Sequence, residues 1–123
     1  MGLTYVIDRE RRLVRSRGVG VLTLRELQDF YSRLLTDPAF DPEYRSLGDL
    51  RAVTDVDVDS AGLVQAAATP VFIEGTKRAL VATSDAVYGM ARAYASYHER
   101  MGQVVRVFRQ MELAEAWLDA RDE

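Results

Sequence analysis

The chain has 123 residues, enough for one domain with a buried core that needs no covalent staples. A net charge of −3 argues against a nucleic-acid binder, whose phosphate contacts need a basic excess. The absence of cysteine excludes disulfides and thiolate chemistry, and a single histidine, His98, leaves too few ligands for an ordinary zinc site.

Leu3–Asp8 alternates apolar and polar residues and is rich in strand formers. Asp8-Arg9-Glu10-Arg11 reads as a polar turn and Leu13–Val21 as a second strand, so an antiparallel hairpin opens the chain, with a bend or bulge near Gly18 and Gly20. Arg9, Arg11, Arg12, Arg15 and Arg17 give that hairpin a basic face. Thr23 followed by Glu26 three residues on is a capping box, and Leu24, Leu27, Phe30, Tyr31, Leu34 and Leu35 continue at helical spacing. Thr36-Asp37-Pro38 ends that helix.

A third strand is expected within Tyr44–Val53, centred near Leu47–Leu50. Asp59 or Ser60 caps a short helix over Ala61–Ala68, halted before Pro70. Ala79–Ala82 is a continuous apolar run, the pattern of a strand covered on both faces. Ser84 or Asp85 opens a long helix to about Met101, with the stripe Val87, Met90, Ala91, Tyr94, Tyr97, His98 and Met101, and Gly102 ends it. Val104–Phe108 is the last strand. Glu112–Ala120 is the last helix, with Leu113, Ala116, Trp117 and Ala120 expected on its buried face. The order β-β-α-β-α-β-α-β-α predicts a single α/β domain over 1–123, with a mixed, largely parallel sheet of about five strands packed with helices. No apolar run reaches the length of a membrane span, and the N-terminal MGLTYVIDRER lacks the basic flank and apolar centre of a signal peptide, so a cytoplasmic location is expected.

The stretch Thr54–Leu63, TDVDVDSAGL, offers the most chemistry. A calcium loop of the EF-hand type would need glycine where Ser60 stands and a bidentate glutamate where Ala66 stands. Asp55 and Asp57 match the nucleophile and acid/base spacing of haloacid-dehalogenase-type phosphatases, but Arg51-Ala52-Val53-Thr54 is a poor version of the hydrophobic strand that precedes that motif. A solvated loop with an aspartate or serine N-cap accounts for Asp57 and Asp59, because carboxylates are favoured at the positive end of a helix. No metal, cofactor or catalytic residue is expected.

Asp49-Leu50-Arg51-Ala52-Val53-Thr54, followed by Asp59-Ser60-Ala61-Gly62-Leu63, resembles the signature of STAS domains, the fold of the sporulation anti-sigma-factor antagonist SpoIIAA. Uncharacterised SpoIIAA-like proteins, related in fold to lipid-binding Sec14-type domains, are similar in the DLR stretch and in Gly89-Met90-Ala91-Arg92. The resemblance implies a bacterial regulatory module that binds a protein partner, with Asp57, Asp59, Ser60, Gly62 and Leu63 as the partner-binding loop. The serine phosphorylated in the switch family is the second of a pair, and Ala61 stands there, so the usual switch is absent. The alternative is a carrier of an apolar small molecule or lipid, with Met90, Tyr94, Tyr97 and His98 facing a pocket between sheet and helix. The same residues could instead form a homodimer face. A triad of Ser60, His98 and an aspartate lacks the glycine pattern of a nucleophile elbow.

Overall fold

Strands β1 (Gly2–Asp8) and β2 (Leu13–Thr23) form the expected antiparallel hairpin in the computed structural model, which describes residues 2–67 and 71–120. Helix α1 (Leu24–Thr36), β3 (Arg45–Asp57), α2 (Ser60–Ala67), β4 (Lys77–Val81), α3 (Asp85–Arg100), β5 (Val104–Phe108) and α4 (Met111–Asp119) follow in the predicted order. The five strands form one sheet in the order β1-β2-β3-β4-β5, parallel from β2 onward. The expected tail of α2 at Ala68 and its stop at Pro70 lie outside the described residues.

Local chemistry sets the element ends. The Thr23 hydroxyl accepts from the Glu26 amide at 3.3 Å, as a capping box requires, and Ser84 Oγ accepts from the Val87 amide at 3.2 Å. Gly102, at φ +84°, ends α3 in the left-handed region. The register of β2 against β3 slips between Arg17 and Val19 and again between Gly20 and Val21, which places the expected irregularity at the glycine pair.

The sheet is covered on both faces. Leu3, Val14, Leu50 and Val53 face α1, α2 and α3, where they meet Leu27, Phe30, Leu34, Leu63, Val87 and Ala91. Leu13, Leu47, Ala79 and Val81 face the other way, onto Ala114 and Leu118 of α4. Of β4, Arg78, Ala79 and Val81 are buried and Leu80 is partly buried under this double cover. Arg11 and Arg15 of the hairpin reach Glu115 at 3.8 and 2.6 Å, and Arg11 and Arg45 reach Asp119 at 3.2 and 3.5 Å. Two of the hairpin's five arginines, Arg11 and Arg15, thus pair with α4.

Three expectations are corrected. Strand β3 runs on to Asp57, so Asp55 and Asp57 sit in a strand paired with Val21 and Thr23 rather than in a loop. The alternation of acidic and apolar residues here is that of a half-buried strand: Asp55 and Asp57 are exposed, Val56 is partly buried and Val58 just beyond is buried. On α4 the buried residues are Ala114 and Leu118, while Leu113 is 55 % exposed. That helix carries apolar residues on opposite sides, and the small Ala114 lets the backbone approach the sheet. Finally, α3 stops at Arg100, which leaves Met101 in the cap and 56 % exposed.

Candidate functional site

The floor of the sheet under α3 carries small residues where a packed sheet would carry branched ones. Ser16, Gly48 and Ser46 lie together on adjacent strands, with Ser16 paired to Gly48 and Ser46 paired to Arg78. A Cβ on Gly48 would stand 2.7 Å from Leu80 Cδ2 and 3.3 Å from Ser16 Oγ, so a larger residue there would require the Leu80 side chain to shift. Above this floor lies a partly open, mainly apolar cavity of about 70 Å³. Its walls come from β2–β4 and from all three helices of that face, including Leu27, Leu63, Val87, Met90 and Tyr94.

One cation lies at this cavity. Arg78 is 6 % exposed and lines the space from β4. One terminal nitrogen (Nη1) donates to His98 Nδ1 at 3.0 Å and the other (Nη2) to the Tyr94 hydroxyl at 3.1 Å. The guanidinium carbon stands 4.5 Å from the centre of the Phe72 ring. The Tyr94 hydroxyl is hydrogen-bonded in turn to that of Tyr31. Arginine has no acceptor, so His98 Nδ1 must be one, and the neutral imidazole then carries its proton on Nε2. That buried Nε2 and the Arg78 Nε have no hydrogen-bond partner among the described residues. Burial, and secondly the Arg78 charge, drive His98 down to about 3, so it is neutral near pH 7. Burial pushes the Tyr31 hydroxyl up, against the opposing pull of Arg78.

The structure divides the expected loop. Asp57, Asp59 and Ser60 are exposed, and Asp59 Oδ1 accepts from the Gly62 amide at 2.8 Å as the cap of α2. Gly62 is buried and Leu63 is 4 % exposed, turned inward to line the cavity. Leu63 is therefore brought together with Met90 and Tyr94, which also line the cavity. His98 stands behind Arg78 rather than on the wall, and Tyr97 packs against the same core with Arg100 over its ring. Among the described residues no group of His, Asp or Glu could hold a metal ion, and Asp55 binds the amide of Val56. Sequence reasoning missed Arg78, Tyr31 and Phe72. Period-two alternation offered a signal for the first: Arg78, Leu80 and Ala82 share one face, so Arg78 belongs with the buried set.

A solved structure of an uncharacterised protein from the DUF3478 family with a SpoIIAA-like fold, from Shewanella loihica PV-4, superposes on this chain with a TM-score of 0.63. The two are 14 % identical, and the match covers 95 % of this chain and 94 % of that one. The chain has a SpoIIAA-like fold. The α/β class and mixed five-stranded sheet expected from the element order are those of this SpoIIAA-like architecture. No family model and no curated protein matches the sequence. Among the described residues no helix is long and apolar enough to cross a membrane.

Proposed function

We propose that this SpoIIAA-like domain is a binding protein, not an enzyme, and that its ligand is a small, largely apolar molecule held between the sheet and helices α1–α3. The observation that carries the reading is the cavity over Ser16, Ser46 and Gly48. Cores close-pack unless something holds them open, and a void lined by small residues forfeits contacts that larger side chains would supply. Its volume is roughly half that of the cavity of about 150 Å³ that takes up benzene, so a short molecule matches it better than a lipid. Met90, flexible and partly buried on the wall, can adjust the fit.

Methyl-resolved NMR titration with propanamide, small enough for a cavity of this volume, tests the reading. Shifts are expected at Leu63, Leu80 and Val87 in the wild type and not in Ala91→Leu, which fills the space. No shifts, or shifts confined to surface methyls, would refute the cavity as a binding site.

A second reading, a protein-binding module at the start of α2, is favoured by the exposure of Asp57, Asp59 and Ser60 beside the half-exposed Val64. Affinity capture from the native cell with wild type and Val64→Asp tests it. Identical sets of recovered proteins would count against that surface.

A further inference from the structure

We propose that the cavity selects an acid: a short aliphatic carboxylate whose head group pairs with Arg78 and whose chain lies against Leu63, Leu80 and Val87. This rests on the cavity being a ligand site and names the class of ligand.

Three observations point to an anion. Arg78 is buried yet has no carboxylate partner; every ion pair found among the described residues lies elsewhere, on β1–β2, β3, α3 or α4. Its hydrogen-bonding and stacking partners, His98, Tyr94 and Phe72, are a neutral imidazole, a phenol and a hydrocarbon ring. A buried guanidinium without a counter-charge is costly, and an incoming anion would offset that cost. Next, Arg78 uses two terminal nitrogens on protein acceptors while its Nε–H has none, so donor capacity remains. Guanidinium is suited to a planar carboxylate, which it can grip with parallel hydrogen bonds. Lastly, the remainder of the lining is apolar apart from the hydroxyls of Ser16, Ser46, Tyr31 and Tyr94. One cation and a few hydroxyls suit a monoanion; a phosphate dianion would demand more charge.

The Arg78 head is itself positioned. His98 and Tyr94 hold its two ends, and the Phe72 ring covers one face. An arginine pinned in this way loses little side-chain entropy when it takes up a ligand.

Propanoate and propanamide have nearly the same shape and differ in charge, so titrating both by methyl NMR at neutral pH separates the two claims. The wild type is expected to bind propanoate about tenfold or more tighter than the amide, since a charge-assisted pair outweighs a neutral one by that order. Arg78→Met should remove the preference, and Arg78→Lys should restore part of it. Equal binding of acid and amide at the cavity methyls would overturn the acid preference and leave the cavity reading standing. Binding of neither would overturn both. Propanoate shifts confined to methyls away from the cavity would also overturn the proposal. If Arg78→Met does not fold, the wild-type comparison of acid with amide decides alone.

Discussion

Acid should destabilise this protein through His98 before its carboxylates titrate. His98 is 2 % exposed, and its Nδ1 is occupied by the Arg78 donor, so protonation in the folded state would place a second cation beside the first. Its folded pKa is about 3, against about 6.5 when unfolded. Between those values the unfolded chain binds a proton that the folded chain refuses. The unfolded state therefore gains as pH falls, and stability decreases through the window from about 6.5 to 3 at up to ~1.4 kcal/mol per pH unit. From pH 7.5 to pH 5 the loss comes to about 2 kcal/mol, a large part of the stability of a domain this size. Asp37 and Asp49 are held below the usual carboxylate range, Asp37 chiefly by the Tyr5 hydroxyl and Asp49 chiefly by Arg51, so they remain ionised across that interval.

Urea unfolding of wild type and His98→Asn at several pH values from 7.5 to 5 measures the effect. Asparagine can present its oxygen where Nδ1 stands, keeping an acceptor for Arg78, but it has no group that titrates there. At pH 7.5 the variant should be less stable, by about 1–3 kcal/mol, because the smaller side chain leaves a gap. Its stability should then stay nearly level toward pH 5 while the wild type falls by about 2 kcal/mol. Parallel curves for the two proteins would show that His98 is not the group responsible and would refute the assignment of a neutral, buried imidazole.

Asp59→Ala removes the acceptor of the Gly62 amide at the start of α2. It should cost about 1 kcal/mol in urea unfolding at neutral pH, and no loss would mean the cap is idle. Glu115→Gln should cost less than about 1 kcal/mol, with the difference shrinking in high salt, because its ion pairs with Arg11 and Arg15 are partly exposed. A loss well beyond that, insensitive to salt, would show that docking of α4 depends on more than these screened charges.

The elements were readable because each carried its own local signature. Thr23 and Glu26 cap α1, Ser84 caps α3, Gly102 ends it, and the apolar run at Ala79 marked a strand that proves to have helices on both sides. The misreadings share a cause: two faces looked alike locally and tertiary packing chose between them. Leu113 lost to Ala114 on α4 because the sheet accepts the closer approach of a small residue. Asp55 and Asp57 looked like loop because aspartate disfavours strands, yet pairing with β2 holds them extended. Arg78 was the costliest omission. An arginine next to an apolar run reads as the end of that run; its alternation with Leu80 and Ala82 hinted at the inward face, and its partners from α3 and the ring of Phe72 establish it.

The two candidate sites read from the sequence meet on one short helix. Ser60 begins α2 on the outside, and Leu63, three residues later, lies against the cavity. Three residues is less than one helical turn, so the exposed acidic end and the buried wall adjoin on the same helix. Leu63 is thus the residue of α2 that a molecule in the cavity would touch, three positions from the exposed Ser60.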